Sequence, residues 1–238
     1  KRTAEMHIAL GSEFEETAFT PTRFNGDYTV WLKNRMLYMF QNRVNTTENN
    51  LHKLDGLALE LAQQFLEKKN AIRKRFVNFD WTKLKGERMR VHGDYHLGQV
   101  LVKDDDFYIL DFEGEPESTI RDRKVKQPPL KDVAGMFRSF HYAVYATIFN
   151  NIESYGYSQE DLFKAGELLY RYLIGVFFET YVEEIKAANI NIGYSNERLF
   201  LLRYTMLEKA VYELGYELNS RPRWAVIPLM GISNIINN

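Results

Sequence analysis

MRVHGDYHLGQVLVKDDDFYILDFEGEP, residues 89–116, decides how this chain folds and what it can do. Short apolar or β-branched runs at 89–92, 100–102 and 107–110 alternate with turn chemistry at Asp104-Asp105-Asp106. That pattern predicts a β-hairpin. The same stretch carries His92, Asp94, His96, Gln99, Asp111 and Glu113, groups that a core strand does not want. They sit at the ends of the apolar runs. Asp94 follows the first run, Gln99 lies five residues on, and Asp111 ends the last run seventeen residues after Asp94. Closing the hairpin brings Gln99 and Asp111 side by side. A carboxylate and an amide oxygen are hard donors, suited to Mg²⁺ carrying a phosphate. Asp94 stands apart from that pair, placed to accept a proton from a hydroxyl. This is the division of labour in phosphoryl transfer. Each element also has a plain reading. A carboxylate at a strand end is usually a turn residue or a cap, and His92 and His96, taken singly, read as structural before catalytic. His-x-x-x-His on a turn lacks the helical spacing and third ligand of a zinc site.

Outward from the hairpin, the chain reads as helix. The 238 residues are 45% hydrophobic and 14% aromatic, enough for a substantial core. Lys and Arg number 31 against 32 Asp and Glu, a balance that argues against a nucleic-acid binder. There is no cysteine, hence no disulfide and no thiolate chemistry. No apolar run approaches the length of a membrane span and no secretory signal is visible, so a cytoplasmic setting is expected. Residues 1–88 are expected to be helical. Ala4, Ile8 and Ala9 start one stripe, and Tyr28, Leu32, Met36 and Phe40 form a second. After the polar 45–50 segment, Thr46 or Thr47 is a candidate cap for a third helix whose apolar face runs Leu51, Leu54, Ala58, Leu61, Phe65 and Leu66. Residues 89–113 form the hairpin and 114–130, with three prolines, an ordered loop. From 131 to 238 helices return: to about 151, from a Ser158/Asp161 capping box to about 188, from about 196 to 219, and a short last one at 225–235. The class is mainly α with a small β-hairpin, without the strand–helix alternation of a doubly wound sheet.

The joint spacing resembles the protein-kinase-like superfamily, whose catalytic loop reads H-R-D-x-x-x-x-N with D-F-G downstream. The aminoglycoside and choline kinase branch carries H-G-D there, as in His92-Gly93-Asp94. More narrowly, HGDYHLGQVL, ILDFEGEP, PPLKDVAGMFRSFHYA and EKAVYELGYELNSRPRWAVIPL look like the bacterial maltokinases, and KRTAEMHIAL looks like the start of that family's C-terminal lobe. The resemblance covers essentially all 238 residues as one lobe of the aminoglycoside-phosphotransferase-like fold. It implies ATP and Mg²⁺ as cofactors and maltose as acceptor, giving maltose 1-phosphate in α-glucan and trehalose metabolism. It makes Asp94 the catalytic base and Gln99 and Asp111 the metal ligands, with Asp94 and Asp111 both lining the substrate. Gln99 stands where most kinases have Asn, one methylene longer. Glu113 replaces the Gly of D-F-G, so no activation-loop switch is expected. His96 stands where protein kinases carry a Lys facing the γ-phosphate, and reads equally as a phosphate contact or a structural hydrogen bond. Asp132 reads either as a first-turn carboxylate favoured by the helix dipole or as a brace for the catalytic loop through His92 or Arg138.

Lys209, Tyr212 and Tyr216 share one face of a predicted helix, with Val211, Leu214 and Leu218 turned toward a core. By periodicity alone the tyrosines read as interhelical packing. The resemblance makes this helix the lining of the maltose pocket, with Arg221 and Trp224 closing it. Arg221 reads also as a binder of free helix-end carbonyls, and Trp224 as core. The glycine-rich loop and Lys of an N-terminal kinase lobe are absent from 1–88, so the chain is expected to be a C-terminal lobe, poorly active alone. A preceding N-lobe, and possibly a trehalose synthase domain, would complete it. Two other readings remain: the same fold acting on an aminoglycoside, choline or other hydroxyl compound, and a non-catalytic kinase-like module attached to trehalose synthase. Aminoglycoside sites are expected to be acidic, so Lys209 favours a neutral acceptor.

Overall fold

Side-chain caps open some of the helices, at Asn25, Thr119 and Ser158. In the computed structural model, which describes residues 1–12, 15–116, 118–151 and 156–237 (of Asn237 the backbone), α1 (Arg2–Leu10) buries Thr3, Ala4, Met6 and His7 on one face. The described residues divide into two compact units, Lys1–Phe24 with Lys85–Leu202, and Asn25–Leu84 with Arg203–Asn238.

In the first unit, β1 (Thr22–Arg23) pairs antiparallel with β2 (Glu87–Arg88), and Met89 bridges Gln127. The hairpin is β3 (Val100–Lys103) and β4 (Asp106–Ile109), in register Val100↔Ile109 to Lys103↔Asp106. Asp104 and Asp105 form its two-residue turn, with φ of 52° and 61°. Two left-handed central residues make the turn whose twist matches the strands, and Asp tolerates that conformation. The stretch 89–92 is therefore not a hairpin strand, and 1–88 is not purely helical: Thr22–Arg23 supplies a partner for Glu87–Arg88 from far upstream. Within the expected loop lies a short helix, α4 (Ile120–Arg123), capped by Thr119, whose Oγ1 accepts from Asp122 N. Glu117 of that loop lies outside the described residues. α5 (Leu130–Asn151) packs on α6 (Gln159–Ala187), and α1 packs on α6. Ser158 caps α6 through a 3.1 Å bond from Asp161 N, as its spacing predicts. α5 starts at Leu130, one residue before the expected 131, and Asp132 lies inside its first turn.

In the second unit, α2 (Gly26–Asn50) packs on α3 (Gly56–Asn78), and α3 on α8 (Val226–Asn237). Phe40 and Phe65 meet edge to face at 5.7 Å, and Tyr204 donates its buried hydroxyl to Leu32 O at 2.7 Å. Neither Thr46 nor Thr47 caps a helix, because α2 runs through both. Their hydroxyls donate back to Asn42 O and Arg43 O at 2.9 and 2.7 Å, which lets the helix continue. α3 begins after Asp55 instead. The chain crosses from the first unit to the second within α7 (Ser195–Ser220). Among the described residues no helix is long and apolar enough to cross a membrane.

Candidate active site

The loop from His92 to Gln99 and the end of β4 meet at the open end of the hairpin. Gln99 Nε2 donates to Asp111 Oδ2 at 2.9 Å, and Leu110 N donates to Gln99 O at 2.9 Å. Asp111 is held at φ 63°, a left-handed conformation that Asp adopts more readily than most residues. His92 ties the two segments together. Its Nε2–H donates to Leu110 O at 2.7 Å, and its ring packs against Phe112 and Tyr95. Asp94 N donates to His92 Nδ1 at 3.3 Å. Gly98 N donates to His96 Nδ1 at 3.1 Å, and His96 Nε2 lies 3.9 Å from Asp94 Oδ2. The structure therefore groups Asp94 with His96, Gln99 with Asp111, and links the two groups through His92.

α5 supports this loop from beneath. Asp132 accepts from His92 N at 2.8 Å on Oδ2 and from Gly93 N at 2.9 Å on Oδ1. It also accepts from His7 Nε2 on Oδ2 at 2.9 Å. Burial pushes the Asp132 carboxyl up, but the His7 hydrogen bond and charge and the two amides outweigh it and hold the group below the ordinary carboxylate range. The contact with the loop runs to the His92 backbone and not its ring. Leu97 N donates to Ser139 Oγ, also on α5, at 3.0 Å. A close approach of the loop to α5 depends on Gly135, where a Cβ would lie 2.5 Å from Tyr95 O. Gly93, at φ 91°, takes a turn that a side chain would strain. Glu113 is 80% exposed and lies 3.9 Å from Arg123, whose guanidinium donates to Ser118 O and Pro116 O and shapes the segment beyond.

Gln99 and Asp111 fit Mg²⁺ by donor type: one carboxylate and one amide oxygen, the small protein share that this ion takes when phosphates and water supply the rest. As placed, the Gln99 amide turns its N–H to Asp111, and half a turn of the amide presents its oxygen instead.

The remaining sequence candidates lie in the second unit. Lys209 Nζ sits 5.3 Å from the Tyr212 ring centroid, and Arg43 lies over the same ring at 6.0 Å. Arg221 covers Tyr216 at 5.6 Å and Trp224 at 4.7 Å while its guanidinium forks onto Glu217 at 2.6 and 3.0 Å. Glu208 accepts from Arg35 at 2.8 Å. Val211, Leu214 and Leu218 are fully buried, Tyr216 is half exposed, and Trp224 is half-buried.

Sequence reasoning missed His7, Tyr181 and Thr3. The available signal was two polar residues, Thr3 and His7, one helical turn apart on the stripe marked by Ala4 and Ile8.

No family model matches the chain. It is similar to the glucosamine kinase of Streptacidiphilus jiangxiensis, 24% identical over 146 residues, covering 61% of this chain and 31% of that protein. It is also similar to the glucosamine kinase of Mycolicibacterium smegmatis, 28% identical over 138 residues, 58% of this chain and 32% of that protein. Among solved structures, a glucosamine kinase crystal form superposes with a TM-score of 0.75 at 19% identity, over 99% of this chain and 52% of that one. A glucosamine kinase in complex with glucosamine, ADP and inorganic phosphate gives 0.72 at 19% identity, with the same coverage. The fold is thus that of about half of these kinase structures, and the chain spans about half their length.

Proposed function

We propose that this chain is the C-terminal lobe of an ATP-dependent sugar kinase of the protein-kinase-like fold, with maltose as acceptor and maltose 1-phosphate as product. One observation carries the reading: buried His92 ties the loop bearing Asp94 to the strand end bearing Gln99's partner Asp111. Asp94 accepts the proton of the sugar hydroxyl as its oxygen attacks the γ-phosphorus and the bond to ADP breaks, help typically worth ~10²–10⁴-fold. Gln99 and Asp111 would hold Mg²⁺, which supplies positive charge against the phosphate oxygens. His96 presents an N–H beside Asp94, suited to a phosphate oxygen. The similarity to glucosamine kinases supports the sugar kinase class.

For the acceptor, the carboxylates near Lys209, Tyr212, Tyr216 and Trp224 favour a neutral sugar. Glu217 pairs with Arg221 and Glu208 with Arg35, so both carboxylates face a guanidinium, and Lys209 lies beside the Tyr212 ring. A second reading, glucosamine as acceptor, is favoured by both curated relatives. The full-length protein offered ATP with maltose, glucosamine, an aminoglycoside and choline, with products assigned by ¹H and ³¹P NMR, separates them. Phosphate on the anomeric oxygen of maltose is expected. Glucosamine phosphate alone moves the assignment to the second reading. No product with any acceptor favours a non-catalytic module.

A further inference from the structure

We propose that the outer face of α6 is a self-pairing surface, on which a second copy of this chain lays its own α6 antiparallel about a twofold axis between positions 173 and 174. The inference is independent of the kinase reading.

α6 turns one stripe inward, where Gly166, Tyr170, Tyr181 and Ile185 are buried. The opposite stripe is open. Leu168 and Tyr172 are 70% and 69% exposed, and Leu169 and Val176 beside them are half exposed. Single exposed apolar residues are ordinary, but neighbours gathered on one helix face mark a contact surface. Gly175 lies in the same stripe, one turn from Tyr172. A glycine inside a helix is unfavourable relative to alanine, and here a Cβ would meet nothing within 4 Å. The packing of the chain itself gives no steric reason for it. On an exposed apolar face it leaves a notch where an outside group can approach the backbone closely.

The pattern along the stripe names the occupant. From Asp161 to Lys186 it steps by four and three in turn, through Leu168, Tyr172, Gly175 and Glu179, the repeat of a two-helix seam. The twofold axis maps that seam onto itself. Tyr172 of one copy then faces Gly175 of the other, ring against notch. Ala165 faces Val182, and Leu168 faces the stem of Glu179, the poorest match of the seam. Asp161 faces Lys186, and on the flank Lys164 faces Glu183, opposite charges in both cases and each pair formed twice. All four of these charged residues are exposed. Asp161 also accepts from Ser158 Oγ at 2.6 Å, and Lys164 lies 2.7 Å from Glu160. A carboxylate and an ammonium each serve more than one partner. In a parallel, in-register pair every charge would face its own copy and Tyr172 would meet Tyr172, so the charges select the antiparallel arrangement.

The test is sedimentation velocity of the full-length protein over a concentration series, where a reversible dimer is expected. Tyr172→Glu is expected to weaken that dimer at least about 30-fold. Gly175→Leu, which fills the notch, is expected to weaken it about tenfold or more although leucine is the better helix former. Lys164→Glu and Glu183→Lys are each expected to weaken it about fivefold or more. The two together exchange the signs and are expected to return it to within about threefold of the parent. All of these positions are exposed, and circular dichroism checks that each variant keeps its helix content. A protein that stays monomeric throughout overturns the proposal, whether the α6 face is then bare or shielded from hydrogen exchange by another part of its own polypeptide. A dimer unmoved by Tyr172→Glu overturns it as well, because another surface then holds the copies together. A double charge variant no tighter than either single one overturns the antiparallel pairing.

Discussion

At the scale of single residues, the proposed chemistry rests on where Asp94 stands. Its carboxylate lies 3.9 Å from His96 Nε2, and its backbone N–H is spent on His92 Nδ1. Asp94→Asn keeps the size and the backbone bond but removes the proton acceptor. Turnover by the full-length protein should fall about 10²–10⁴-fold with the melting temperature unchanged. Near-parental turnover would remove Asp94 from the base role. The meeting of Gln99 with Asp111 was legible because the spacing of polar groups around one hairpin is written in consecutive residues. His7 was not, because its two partners lie 125 and 174 residues away. Its sequence context is an ordinary helix stripe, and only the fold shows that the stripe contains a hydrogen-bond relay.

At the scale of elements, local signals succeeded and long-range ones failed. The Asp-Asp turn and the Ser158 cap involve neighbours, and their residue types state the geometry. The strand Thr22–Arg23 has no such signal, since two residues become a strand only through pairing with Glu87–Arg88. The α2 boundary was misplaced for a different reason. Thr46 and Thr47 are cap formers by type, yet each satisfies its hydroxyl on a carbonyl four residues back, a bond that leaves the helix free to continue. Gly135 shows an element-level constraint with a measurable cost. In isolation Gly→Ala in a helix stabilises by up to about 1 kcal/mol. Here the added Cβ would meet Tyr95 O at 2.5 Å, so the sign should reverse. Gly135→Ala is expected to destabilise by about 1–3 kcal/mol in thermal or urea unfolding. A variant more stable than the parent would mean that the loop does not press on α5 in solution.

At the scale of the whole molecule, two buried groups give the first unit a pH-dependent stability with two separate windows. His141 is held well below its ordinary value of 6.5, first by burial and then by the Arg138 charge. Its ring packs between Tyr145 and Tyr170. The unfolded chain takes up a proton below about pH 6.5 that the folded chain refuses, so stability falls as pH drops from there. The slope is up to about 1.4 kcal/mol per pH unit. Asp132 acts lower. Its depressed folded value means its contribution is intact above the ordinary 3.8 and is lost as pH falls through the folded value. His141→Phe should therefore flatten unfolding free energy between pH 6.5 and 5 while leaving the steeper loss below pH 4. An unchanged slope between pH 6.5 and 5 would assign that window to other groups.

The loop amides also settle where protons can reside at the site. Gly98 N–H and Asp94 N–H can only donate, and they occupy Nδ1 of His96 and of His92. Each neutral imidazole is therefore the Nε2–H tautomer, with no basic lone pair left facing the site. The backbone, folded as it is, occupies the one lone pair of each ring. On the proposed kinase reading, the carboxylate of Asp94 is the group of the three that takes the proton from the hydroxyl.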